Sequence, residues 1–296
     1  MKKGWHVILS AALILLLFAS SCSKDNSLNG DSQRQTGTHK IIVNVCDKET
    51  DTPLEGAEVY VVGDENSYTT DSIGNTKEIT VKVDKAYFDN YTDQVVKNTG
   101  NGFVDLVVFK EGYAKHIELD HNIYPGDFPS VVTIKMERTD KDMFSLKQNY
   151  PDTDYVEKVM AAYEGMESSE AATQGDTDFM VSVKDNSNNA IANAHIVIPE
   201  MGISAYTGQD GTYTFKAASS VKKDDYPVEK NYNEITILTF MDGYNSKAVF
   251  RVPVSSEGEA NTINITLNKT EEVKVEEETM VPDTEWIENM INYYIK

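Results

Sequence analysis

From Gly112 to Tyr163 the chain repeats its own pattern, without a gap, 131 positions later at Gly243 to Tyr294. Gly112 and Tyr113 recur as Gly243 and Tyr244, and Phe109 as Phe240. The alternating Val132, Ile134 and Met136 recur as Ile263, Ile265 and Leu267. Pro151, Asp152, Thr153, Asp154 and Tyr155 return as Pro282, Asp283, Thr284, Glu285 and Trp286. Upstream the offset is 137, pairing Ala57 with Ala194 and Gly74 with Gly211, so copy one holds six extra residues between Gly74 and Asp105. A tandem duplication demands a unit that can be built twice and pack beside itself.

Most of each unit alternates with period two, which gives a strand one buried and one wet face. In copy one the runs lie at Ile41 to Cys46, Ala57 to Val61, Glu78 to Val83, Phe103 to Phe109, His116 to Leu119 and Val131 to Met136. Copy two repeats them at Val181 to Val183, Ile196 to Ile198, Tyr213 to Phe215, Ile235 to Phe240, Ala248 to Val252 and Ile263 to Leu267. Short strands at this spacing predict a sandwich. Each unit then closes on a helix, because Tyr155, Val156, Val159, Met160 and Tyr163 form one apolar stripe, matched by Trp286, Ile287, Met290, Ile291 and Tyr294. Asp152 or Thr153, and Asp283 or Thr284, can cap the first amides. A helix this short needs a surface to pack on. Two readings are open: the stripe covers a face of its own or the neighbouring sandwich, or it binds a partner.

The N-terminus is a targeting segment: Lys2 and Lys3, an apolar run from Trp5 to Ala19, then Ser20, Ser21 and Cys22. The run is too short to span a bilayer, and small residues ending at a cysteine are what a lipoprotein signal peptidase reads. Cys22 is the expected lipidation site. Ser23, Lys24 and Asp25 resemble the short acidic signals that carry some Gram-negative lipoproteins to the outside of the outer membrane. The expected division is 1–21 signal peptide, 22–38 flexible stalk, 39–138 first sandwich, 139–163 connector and helix, 164–177 linker, 178–269 second sandwich, and 270–296 acidic connector and C-terminal helix. The acidic run Glu271 to Glu278 reads as solvated, since its carboxylates repel one another.

With 27 basic against 48 acidic residues the formal charge is −21, and losing Lys2 and Lys3 makes the chain more acidic still. Nucleic acid is excluded as a natural partner, because binding it draws on clustered Lys and Arg. Beyond Cys22 there is only Cys46, so no disulfide framework and no cysteine metal site can form.

Several residues in each copy carry a family resemblance. In copy one they are Val43, Val45, Asp47, Pro53, Leu54, Gly56, Ala57, Val59, Thr70, Asp71, Gly74, Gly112 and Tyr113; in copy two, Val181, Val183, Asp185, Ile191, Ala194, Ile196, Thr207, Asp210, Gly211, Tyr213, Phe215, Gly243 and Tyr244. Their order resembles the carboxypeptidase regulatory-like domain, a transthyretin-like or prealbumin-like fold. The resemblance implies a mainly β chain of two tandem seven-stranded transthyretin-like β-sandwiches, each followed by a short amphipathic α-helix outside the family pattern. Copy two departs from it with Ala192 and Asn193 where the family prefers a glycine.

A peptidase activity does not follow. After the targeting segment the chain has only His39, His116, His121 and His195, and His116 with Glu118 offers two of the three protein ligands a catalytic zinc uses. No nucleophile elbow and no phosphate-cradling glycine loop is present, and neither a cofactor nor a metal is expected. Aromatic rings beside carboxylates and amides suit sugar binding, which makes Tyr87, Tyr91, Tyr124, Tyr226 and Tyr232 candidate ligand contacts. Asp71, Ser72 and Ile73 resemble an acceptor triplet of bacterial O-glycosylation, with Ser72 as the modified residue. The expected role is a non-catalytic surface lipoprotein, membrane-bound through Cys22, that serves as a structural or protein-interaction module for an envelope protein. The alternative is a glycan-binding protein of an outer-membrane uptake system.

Overall fold

The computed structural model describes residues 37–85, 102–123, 128–151, 153–168, 178–216, 227–228, 232–255 and 261–295. Arg34–Lys296 forms one compact unit. Copy one contributes β1 (Gly37–Asp47), β2 (Glu58–Val61), β3 (Ser67–Thr69), β4 (Ile79–Lys85), β5 (Gly102–Phe109), β6 (Lys115–Ile123), β7 (Ser130–Met136), β8 (Phe144–Gln148) and α1 (Thr153–Tyr163). Copy two contributes β9 (Asp178–Asp185), β10 (His195–Ile198), β11 (Ile203–Tyr206), β12 (Thr212–Lys216), β13 (Tyr232–Phe240), β14 (Ser246–Ser255), β15 (Asn261–Leu267), β16 (Val275–Thr279) and α2 (Thr284–Tyr294).

In copy two a three-stranded layer, β12-β9-β15, faces a five-stranded one, β11-β10-β13-β14-β16. Copy one has the same plan, β4-β1-β7 against β3-β2-β5-β6-β8, but its layers are joined because the end of β4 also pairs with β5 at Asp84–Phe103 and Lys85–Gly102. The fold is therefore two tandem β-sandwiches, each followed by a short amphipathic helix, as expected, but with eight strands in each copy where seven were expected. Each connector also supplies a strand that the sequence reading lacked. β8 pairs in parallel with β6, and β16 with β14. The acidic run thus enters a sheet edge: Val275 is half-buried, while Glu277 and Glu278 stay exposed.

Alternation explains the cores. Ile41, Val43, Val45, Val59, Leu106, Val108, Ile134 and Met136 point between the layers of copy one, and Val181, Val183, Ile196, Ile235, Ile237, Ile265 and Leu267 do so in copy two. Both copies lock the turn into the second strand with one buried threonine. Thr70 Oγ1 donates to the Leu54 carbonyl at 2.5 Å and accepts from Ala57 N at 2.8 Å; Thr207 Oγ1 does the same with Ile191 and Ala194, at 2.7 and 2.9 Å. The departure at Asn193 is now explained: it holds φ +60°, close to the +71° of Gly56, and Asn is among the residues that tolerate this region. Gly74 and Gly211 are required both by their positive φ, +77° and +73°, and by space, since a Cβ would sit 2.5 Å from the Val45 carbonyl oxygen and 2.7 Å from that of Val183.

Candidate functional site

The helix stripes decide where the two copies meet. In α1, Val156, Val159, Met160 and Tyr163 bury themselves against Val197, Leu238, Phe240, Ala248 and Phe250, all on the outer face of copy two. In α2, Trp286, Ile287, Met290, Ile291 and Tyr294 bury themselves against Val107, Ile117 and Leu119, on the outer face of copy one, with Tyr60, Phe144 and Leu146 packed alongside. Each helix covers the sheet of the other copy. Only Asn149–Asp152 and Met280–Asp283 separate each last strand from its helix. At about 1.5–3 kcal/mol for each fully buried large apolar side chain, the two stripes supply much of the cohesion between the copies.

Polar contacts fix the α2 docking. The Trp286 indole donates to the Val228 carbonyl at 3.0 Å, and Gly63 N donates to the Tyr294 hydroxyl at 2.8 Å. The Tyr294 ring lies 5.6 Å from that of Tyr60. Asp283 caps the helix, its carboxylate accepting from Glu285 N and Trp286 N.

The contacts are reciprocal, the signature of a two-fold interface between like surfaces. At its centre stand Asp120 and Arg251, which the duplication offset of 131 makes equivalent positions. Both occupy a bulge: Leu119 and Asp120 oppose the single residue Asp105, while Phe250 and Arg251 oppose Thr236. Both hold positive φ, +56° and +54°. Arg251 Nε donates to Asp120 Oδ2 at 2.7 Å, and Arg251 Nη2 donates to Asp120 Oδ1. Arg251 Nη1 reaches Glu234 Oε2 at 2.7 Å, and Gln148 donates to Asp120. The side chains are 7%, 3% and 11% exposed for Arg251, Asp120 and Glu234, so this charge network is dry.

Beside it, β6 carries a second polar group. Glu118 is fully buried; Lys147 Nζ donates to its Oε1 at 2.7 Å, Asn149 Nδ2 at 3.0 Å, and the His121 ring closes on the same oxygen. His116 Nε2 stands 3.6 Å from Oε2, an ion-pair distance, while its Nδ1 meets Ser145 Oγ at 2.8 Å. Burial by itself would raise the Glu118 pKa, but His116, His121, Lys147 and Asn149 outweigh it and hold the carboxyl well below the usual range. His116 and Glu118, two apart on β6, share one face of the strand, and among the described residues no group of histidine, cysteine and carboxylate side chains suits a metal ion.

Tyr87, Tyr91, Tyr124, Tyr226 and Cys22 lie outside the described residues. Tyr232 opens β13, where its backbone pairs with Ser255. Ser72 sits on the exposed turn Asp71–Gly74, in which Asp71 Oδ1 accepts from Ile73 N and Asn75 N, both at 3.0 Å. Among the described residues no helix is long and apolar enough to cross a membrane. Sequence reasoning missed Asp120, Glu234 and Arg251. The repeat offset that pairs an acid with a base at one position was the available signal.

No protein-family model matches the chain, and no curated protein does. Among solved structures it is similar to the Bacillus anthracis TIE protein at 14% identity and TM-score 0.24, covering 79% of this chain and 34% of that one. It is similar to the Streptococcal ancillary pilin at 15% identity and TM-score 0.21, covering 79% and 63%. It is also similar to GBS52, the minor pilin of Streptococcus agalactiae, at 9% identity and TM-score 0.23, covering 83% and 99%. The chain spans about a third of the first and just under two thirds of the second. The β-sandwich class rests on the strands themselves.

Proposed function

We propose that the chain is a non-catalytic surface lipoprotein of a Gram-negative outer membrane, held by acylated Cys22, that acts as a structural or protein-interaction module built from two carboxypeptidase regulatory-like domains. The observation that carries this reading is the crossed docking of α1 and α2. Crossed docking joins two sandwiches into one unit and leaves their other strand edges and turns as presentation surfaces. Buried apolar area and a dry ion network are spent on fixing geometry between the copies, which suits a part that holds something in place. The lipid supplies the attachment, since several acyl chains at about 0.8 kcal/mol per buried methylene anchor a protein durably.

The test is a crosslinked pull-down from outer membranes with native protein and a Cys22→Ser control. A specific envelope protein recovered only with the native chain is the expected result, and equal recovery from both would sink the reading. The glycan alternative rests on Tyr87, Tyr91, Tyr124, Tyr226 and Tyr232; glycan-array binding lost when these become alanine would favour it. Ser72, on its exposed turn, is the proposed O-glycan acceptor.

A further inference from the structure

The interface between the copies has the form of a dimer interface enclosed in one chain. Its two halves are copy one with α1 and copy two with α2, and each half fills the apolar face of the other. Covalent continuity between them runs through 164–177, a stretch rich in Ser, Glu, Ala, Gly and Thr that reads as a linker. None of the contacts in the interface depends on which chain supplies each half. From this we infer that the same surface binds a second copy of this chain, by reciprocal exchange of half-chains: copy one with α1 of one molecule pairs with copy two with α2 of another, and the converse.

Charge at the centre specifies this pairing against its rivals. Two copies one brought together would place Asp120 against Asp120, and two copies two would place Arg251 against Arg251, in each case buried like charges. Only the unlike pairing gives the observed Asp120–Arg251 network. Exchange of identical elements is a low-cost route to association, because every contact of the closed chain is kept. Within one molecule the tether favours closure through a high effective concentration, so the exchanged form grows as chains are crowded, as on a membrane surface. The inference goes beyond the proposed function and does not depend on anchorage.

The decisive experiment uses two differently tagged chains, both carrying Cys22→Ser, one with Asp120→Arg and the other with Arg251→Asp. Within either molecule like charges meet; across the two molecules both centres become complementary. Co-expression should give a 1:1 dimer by light scattering, with recovery of the second tag on the order of a hundredfold above that from two unmodified chains, for which the tether favours closure. A single chain carrying Asp120→Arg and Arg251→Asp together should be a monomer, its pairing restored internally. If that double variant folds as a monomer and the mixed chains still do not associate, the inference is overturned. A second arm avoids interface variants: a protease site placed within 169–177 is cut, and the halves should co-elute on size exclusion. Halves that separate under native conditions would overturn it equally.

Discussion

On the core-facing side of β6, copy one carries Glu118 and His121, with Asn149 beside them; the equivalent positions in copy two are Val249, Val252 and Met280, which pack into its apolar core. The five-stranded layer is wider than the three-stranded one, and the two copies treat this same part of it differently. Copy two fills it with hydrocarbon. Copy one fills it with a buried carboxylate that needs every neighbouring donor. A second difference lies at the bulge, where Asp120 faces Arg251. Inside each copy the divergence swaps a polar cluster for hydrocarbon, whereas at the bulge, where one contact is made per pair of copies, the divergence is complementary.

The sharpest way to break this comparison is Arg251→Ala. It leaves Asp120 and Glu234 buried without their cation and should cost about 3–5 kcal/mol in urea unfolding. A loss below about 1 kcal/mol would mean that water reaches the network and that the bulge charges do not specify the pairing.

Next in size is Ile291→Ala on α2, expected to cost about 2–5 kcal/mol. The location of the damage is the sharper readout. Hydrogen exchange should accelerate in β5 and β6 of copy one, although α2 follows copy two in the chain. Acceleration confined to copy two would refute the crossed docking.

The smallest effect concerns pH. The Glu118 carboxyl is held below its ordinary value of 4.5, so its contribution is fully present above that pH and is lost as the pH falls toward the folded value. Replacing Glu118, His121 and Asn149 together by Val, Val and Met, as in copy two, should flatten the acid limb of the stability profile by about 1–3 kcal/mol relative to the native chain. An unchanged limb would show that other carboxylates carry it.

Much of the scaffold was legible in the residues. Period-two runs located twelve of the strands, and the stripes located both helices, because burial of one face leaves a direct imprint on sequence. β3 and β11 are too short for alternation to register. β8 and β16 escaped for another reason: as outer strands they bury little, and Glu276, Glu277 and Glu278 read as solvent-facing connector. Tyr87, Tyr91 and Tyr226 lie in the stretches where the copies differ most in sequence, outside the described residues, whereas Asp120 and Arg251 lie in the gapless matched stretch.

The chain's sequence establishes a doubled unit, its strand-rich character, its turn glycines and threonines, and one apolar stripe per helix, all of which follow from short-range periodicity and local backbone demand. A stripe has no address, however. Which sheet each helix covers, and that Asp120 meets Arg251 across a two-fold centre, depend on contacts between segments 131 residues apart. Those contacts are chosen by short connectors, shape and charge complementarity in the assembled molecule.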